Sequence, residues 1–409
     1  MSTRRQFIVH GVGAFGGALA LDSIFARAAR AAARVTAPGS AGNRTLVVIN
    51  LQGGNDGLNT IVPYGDPAYY AARPSIAVPK ADVLSIDSSI GMHPKLASLK
   101  ALYDSERVAV LQGVHYPNYV LSHFRGTEIW QTAAPDAYDT TGWAGRYLDA
   151  ASLPADNLFK GVAIGPLLPK MLVAQKTDVP AISNLRGFRF YGRADEQAQA
   201  DNILNGDGER YPFESPYLQL VQDVERDAHA ASTRLPHLIA GYKPAVEYPK
   251  TPFAQGLNLV SAIVAADLGT KVFYVSIGSF DTHVGQRPRQ DALLAQFADG
   301  LKAFYDDLAA HRADDRVLTM TFSEFGRRVG ENANRGTDHG TAAPMFLIGG
   351  GVKGGVYGDH PSLTDLDFGN LKWHTDFRSV YATVLERWLN VPSRTVLGDA
   401  YAPLTFLPA

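Results

Sequence analysis

Two acid–imidazole couples, far apart in the chain, have the composition of a metal site. Asp281 and His283 lie in SFDTHVG (279–285), and Asp338 and His339 lie in GTDHG (336–340). A carboxylate beside an imidazole offers one anionic oxygen and one neutral nitrogen, a donor pair that suits zinc and similar divalent ions. Residues two apart in extended backbone project to the same side, which lets Asp281 and His283 converge on one ion. Gly336 and Gly340 flank the second couple and let the backbone turn sharply enough to present both side chains. A loop whose Asp and His merely bond to backbone has the same composition. One couple leaves the two readings level, whereas two at equivalent strand ends favour the ion.

Further positions join them. Glu324, Arg327 and Arg328 follow the apolar run 317–322 in the same glycine-punctuated stretch that carries Asp338 and His339. Asp56 lies in QGGNDG (52–57), either as a ligand just beyond a strand or as an ordinary turn residue. Ser122 and His123 stand where a helix begins. That position suits a serine alkoxide or a bound anion, and on position alone slightly favours serine as a plain cap. His374 precedes the candidate caps Thr375 and Asp376 of a later helix and is free to point into a cleft. The glycine run 349–355 lacks the strand–GxGxxG–helix context of a dinucleotide site.

The elements that must position these residues are legible as apolar runs. Strands are expected at 45–51, 108–112, 271–278, 317–322 and 345–348. Helical patterns follow at 94–104, from 122, and at 253–268, 291–311 and 374–389. Each candidate falls where a strand ends or a helix starts, the usual place for chemistry in an α/β protein. The apolar stripe of 291–311 is core. Residues 150–250 carry scattered prolines and a polar stretch but no catalytic constellation, and read as an insertion or lid on one α/β domain, 45–409.

Composition narrows the chemistry. The 409 residues are 46% hydrophobic and 19% charged, enough for a substantial core, and a net charge of −2 argues against binding nucleic acid by phosphate neutralisation. There is no cysteine, so disulfides, thiolate metal sites, cysteine nucleophiles and cysteine-held clusters are excluded. Any ion must take His and oxygen donors, which suits zinc, manganese, magnesium or calcium, and iron as well. Residues 1–34 carry paired Arg4 and Arg5, a short glycine- and alanine-rich apolar run, and a small-x-small site at Ala26-Arg27-Ala28. That is the layout of a twin-arginine signal peptide, followed by a linker at 35–44. It predicts passage through the twin-arginine export machinery to the periplasm or beyond. The apolar run is too short and glycine-rich for a stable membrane span.

With QGGNDG at 52–57, Ser122-His123-Phe124, Gly142-Trp143, Asp281-Thr282-His283, SEFGR at 323–327, GTDHG at 336–340 and the glycine run at 349–355, the chain resembles the exported bacterial family labelled domain of unknown function 1501. That family is similar to the alkaline phosphatase and sulfatase superfamily. The resemblance implies a three-layer sandwich with a large, mostly parallel central sheet and metal ligands at the strand ends. It implies Ser122 at the nucleophile position, Asp281 and His283 as one ligand set, Asp338 and His339 as the superfamily's Asp-His-Gly, and His374 as its late histidine. Three departures stand out: Gln52 occupies the place of the first aspartate, with Asp56 four residues later; Asp281 and His283 are two apart rather than four; and Glu324 ends the strand where the Asp-His would stand, with Asp338-His339 fourteen residues further on. The expected function is hydrolysis of phosphate or sulfate esters by one or two divalent ions. Asp56, Glu324 and His374 would assist the ligands, and Arg327 would grip the anionic group. The alternative is a non-catalytic binding or assembly protein that keeps the fold; a non-haem oxidoreductase is a weaker third.

Overall fold

The computed structural model describes residues 43–154, 157–183, 231 and 234–408. The signal-like segment 1–34, the linker up to residue 42 and most of 184–233 lie outside the described residues. The described residues from 44 onward belong to a single unit.

Nine strands make the main sheet: β1 (Thr45–Gln52), β2 (Val108–His115), β3 (Gly161–Ile164), β4 (Ala181–Ile182), β5 (Val272–Gly278), β6 (Val317–Phe322), β7 (Ala343–Gly349), β8 (Gly355–Tyr357) and β9 (Thr375–Asp376). Side chains alternate between its two faces, and both faces are apolar, as continuous apolar runs require. Val47, Ile49, Val110, Phe273, Val275 and Phe346 enter one core layer, and Leu46, Val48, Leu111, Tyr274, Met320 and Leu347 the other. The first layer is covered by α2 (Ala97–Asp104), α5 (Pro252–Ala265) and α6 (Gln286–Ala310). The second is covered by α3 (His123–Thr132), α4 (Trp143–Ala150) and α7 (Phe377–Thr383), which runs on as a π-helical turn through Trp388. The short α1 (Pro67–Ala72) and α8 (Ser393–Leu397) complete the helices named here. The expected three-layer α/β sandwich is what the chain forms.

The strand order is β8-β2-β7-β6-β1-β5-β3-β4, with β9 also pairing β2. All neighbours are parallel except β7, which is antiparallel to both β2 and β6. β1 lies between β5 and β6, with Gln52 level with Gly278 and Asn50 level with Phe322. The carboxyl ends of three adjacent strands therefore finish together, and the loops bearing Gly53–Asp56, Asp281–His283 and Ser323–Arg327 leave from one rim. Reversal of β7 matters as much. Chain leaving β6 at this rim re-enters the sheet from the same rim, so the whole connection 323–342 stays beside the other two loops. A two-residue antiparallel ladder, Gly326–Arg327 against His339–Gly340, holds its two ends together.

The segment read from the sequence as an insertion or lid contributes β3 and β4 to the edge of the sheet. Their four and two residues are too short to show a period. The helix expected from 291 begins at Gln286, and Asp376, which accepts from Arg378 N, is the cap that opens α7. Among the described residues, no helix is long and apolar enough to cross a membrane.

Candidate metal centre

The rim is stapled before any ligand is considered. Ser323 Oγ donates to Leu51 O at 2.7 Å and accepts from Asn55 N at 2.9 Å, joining the loops after β6 and β1. Arg327 is fully buried and spends its guanidinium on backbone: Nε donates to Gly54 O at 2.7 Å, Nη1 to Thr337 O at 2.9 Å, and Nη2 to Gly53 O and, at 3.1 Å, to Phe280 O. Gly53 has φ +113°, and a Cβ there would stand 2.5 Å from Asp281 N, so only glycine lets the two loops approach this closely. The expected fork for a substrate anion is thus a latch. Its other hydrogen bonds, Nη2 to Asp281 Oδ1 at 2.8 Å and Nη1 to His283 Nε2 at 3.5 Å, are with candidate ligands.

Above the latch, four side chains converge. His283 Nε2 lies 3.0 Å from Asp281 Oδ1 and 3.0 Å from His339 Nε2, and His339 Nε2 lies 3.4 Å from Asp281 Oδ1. His123 Nε2 approaches the other oxygen, Asp281 Oδ2, at 3.4 Å. One donor atom each from His123, Asp281 and His339 lie within 4.8 Å of one another. The far nitrogens are also occupied: His123 Nδ1 meets Glu324 Oε1 at 2.9 Å, His339 Nδ1 meets Leu121 O at 2.8 Å, and His283 Nδ1 faces Asp338 Oδ1 at 3.5 Å. Buried Phe325 packs against the His123 and His339 rings, with centroids 4.9 and 4.2 Å away. The side chains of Asp281 and His283 are each 40% exposed, so the group opens to solvent.

Electrostatics agree with the geometry. Burial alone would raise the Asp281 carboxyl, but the Arg327 hydrogen bond and charge, with His283 and His123, outweigh it and hold the group at about 2. Asp338 is lowered first by the Asn332 amide, against some burial, and then by His283. His339 is lowered by burial, with Arg327 and His123 adding to the effect, and is therefore neutral and able to offer a lone pair near pH 7. Two imidazole nitrogens 3.0 Å apart, both beside a carboxylate, require a proton or a cation between them. Three imidazoles and one carboxylate are donors that zinc accepts readily, and manganese or iron also, whereas magnesium and calcium prefer all-oxygen shells.

The structure brings Asp281, His283, His339, Asp338, Glu324 and Arg327 together; Asp56 and His374 contact other partners. Asp56 is buried against Arg73 Nη1 at 2.5 Å, also meets Gln286 Nε2, and accepts from Leu58 N as the cap of a short 3-10 turn. It neutralises a buried arginine rather than facing the cluster. His374 Nε2 takes Asp359 O at 2.7 Å, and its ring lies over Gly113 beside β2. Ser122 precedes α3, is exposed, and makes no capping bond to its helix. It lines an open cleft of about 430 Å³ with Phe124, Arg125, Glu128, Tyr138 and Lys170. Sequence reasoning missed His123 as a donor. The only signal was its place beside Ser122 at a helix start, and its partners Asp281 and Glu324 are remote in sequence.

Comparison with known proteins agrees with the motifs. Residues 110–398, more than half the chain, match the family model described as "Protein of unknown function (DUF1501)". The chain belongs to that family. A search of curated proteins finds no match. Among solved structures, the chain is similar to an alkaline phosphatase superfamily protein from Vibrio parahaemolyticus, at 12% identity and a TM-score of 0.36, over 88% of this chain and 71% of that one. It is similar to a sulfatase from Pseudoalteromonas sp., at 13% identity and 0.36, over 86% and 69%. It is also similar to a phosphonate monoester hydrolase from Silicibacter pomeroyi, at 10% identity and 0.33, over 88% and 78%. These likenesses are distant, and the DUF1501 sandwich rests on its own strand order.

Proposed function

We propose that this DUF1501 protein is a divalent-metal-dependent hydrolase of phosphate or sulfate esters. The observation that carries the reading is the convergence of His123, His283 and His339 through Nε2 on the Asp281 carboxylate. The ester class comes from the motif resemblance and gives the assay its panel. His123, Asp281, His283 and His339 would hold a divalent ion, which when bound would supply Lewis acidity to an ester oxygen and lower the pKa of water from 15.7 to about 7. The chain supplies the rest. Asp281 contributes the negative charge that retains a dication, and Arg327 fixes its orientation through Oδ1. Ser122 offers a hydroxyl that its own helix leaves uncapped, at the positive end of α3, as nucleophile or as a hydrogen-bond donor to the ester. The cleft beside it, walled by Phe124 and Tyr138, receives the alcohol portion. The twin-arginine layout read in residues 1–34 supports an activity in the periplasm or outside the cell.

A second reading, a metal-binding protein without turnover, is favoured by one observation: Arg327, the expected anion grip, is closed on backbone carbonyls and Asp281. Metal-replete wild type and the Asp281→Ala and His339→Ala variants, assayed on phosphate monoesters, phosphate diesters and sulfate esters, separate the two. The hydrolase reading expects cleavage by wild type and a loss of at least about 100-fold in each variant. Stoichiometric metal with no ester cleaved leaves the binding reading.

A further inference from the structure

We infer that Glu324 is not a metal ligand but the positioning residue of the centre, holding His123 as the Nδ1–H tautomer so that its Nε2 lone pair faces the ion. The inference rests on the metal reading of the cluster and deepens it.

Glu324 is 1% exposed in its side chain and immediately follows the Ser323 staple at the end of β6. Its Oε1 accepts from Gly53 N at 2.8 Å and meets His123 Nδ1 at 2.9 Å. An ionised carboxylate only accepts, so the bond to Nδ1 requires the proton on that nitrogen. The unprotonated Nε2 is then the atom turned toward Asp281 Oδ2. Main chain from the same residue locks the helix that carries His123: Trp130 Nε1, on α3, donates to Glu324 O at 3.0 Å. One residue thus sets both the place of α3 on the rim and the tautomer of the histidine at its start.

Its other oxygen argues that the charge serves a purpose. Oε2 is buried and makes no hydrogen bond among the described residues. A buried carboxylate oxygen without a partner is destabilising, and a purely structural acceptor for Gly53 N needs no charge. An anionic acceptor behind a ligating imidazole makes the ring a stronger donor, the known role of a carboxylate behind a ligating histidine. The neighbouring rings follow the same plan with other acceptors: Leu121 O stands behind His339 and Asp338 Oδ1 behind His283. Of the two carboxylates, Glu324 is the buried one, 1% exposed against 54% for Asp338.

Tautomers are read in the metal-free protein by long-range ¹H–¹⁵N spectra of labelled histidine, and zinc affinity by calorimetry. Wild-type His123 is expected as Nδ1–H. Glu324→Gln, whose amide oxygen still accepts but carries no charge, keeps that tautomer and loses part of the affinity, less than Glu324→Ala does. Glu324→Ala releases the ring to the Nε2–H form and weakens zinc about 10- to 100-fold. In His123→Ala, adding Glu324→Ala gives no further loss, because Glu324 acts through that ring; a merely structural role would instead give additive losses. An Nε2–H His123 in zinc-binding wild type, or additive losses, overturns the positioning role alone. Wild type that binds no zinc overturns the metal reading and with it the purpose assigned to Glu324.

Discussion

At the scale of the residue, two buried charged or titratable groups outside the cluster make distinct predictions. Asp56 faces Arg73, whose guanidinium also donates to Asn59 and Val329 O, both buried, and to Arg328 O, partly buried. Removing one member of such a pair strands the other, so Asp56→Ala is expected to destabilise the fold by about 3–5 kcal/mol. If Asp56 only balances Arg73, the folded fraction keeps its zinc stoichiometry; denaturant unfolding and metal analysis of the same sample check both halves. His115 ends β2 among Tyr116, Tyr119 and Trp130 and is fully buried. Burial, only partly opposed by a backbone bond at Tyr116, lowers it from 6.5 to about 3. The unfolded chain therefore takes up a proton that the folded one refuses. Stability is full above about 6.5 and declines as pH falls toward about 3, by about 1.4 kcal/mol per unit within that window. His115→Phe should flatten that slope in unfolding measurements between pH 4.5 and 7.

Residue identity made part of the site legible. Asp281, His283, Asp338 and His339 are adjacent or nearly so, and their coupling is local. His123 is a single histidine whose meaning comes from Glu324 and Asp281, and no local pattern signals that. Asp56 has the composition of a ligand-bearing turn, but the buried cation that claims it lies at position 73, inside a stretch without motif. Arg327 looks available because sequence does not reveal how many carbonyls a folded rim turns inward.

At the scale of the element, α6 is pinned to the far end of the middle segment by one carboxylate. Asp307 has no exposed side chain and accepts from Ser261 Oγ at 2.5 Å, Ala245 N at 2.7 Å, Tyr248 OH at 2.9 Å and the Tyr242 hydroxyl. Burial would raise its carboxyl, but these donors outweigh it and lower the group. Its contribution to stability is thus present above the usual carboxylate range and lost as pH drops below it. Asp307→Ala leaves the Ser261 and Tyr248 hydroxyls and the Ala245 amide without this acceptor, while Tyr242 keeps Asn258, and is expected to destabilise by about 2–4 kcal/mol. Loss of protection in 242–248 by hydrogen exchange would locate the effect. Long apolar strands were legible as elements because β1, β5 and β6 bury both faces. The reversal of β7 was not, since an apolar run reads the same in either direction. β8 and β9 escaped notice for their brevity.

At the scale of the whole molecule, a metal held by groups on three separate connections, those after β2, β5 and β6, would link occupancy to folding. Ligand that binds only the native state adds about 2.7 kcal/mol at a hundred times its dissociation constant. Zinc-loaded protein should therefore melt several degrees above protein treated with a chelator, and the gap should vanish in His339→Ala. Equal melting temperatures for loaded and stripped wild type would count against the cluster as a tight site. The three-layer architecture was legible from strand–helix alternation together with the motifs, whereas the order of strands was not.

That order has a consequence for biosynthesis. β1 is the first described strand of the sheet to leave the ribosome, yet both its hydrogen-bonding neighbours, β5 and β6, are made more than two hundred residues later. Until residues 272–322 exist, an apolar ribbon with two open edges waits without a partner, the situation in which long-range pairing is slow and self-association competes. A nascent chain halted near residue 260 should accordingly engage chaperones through 45–52, and release them once translation passes 322.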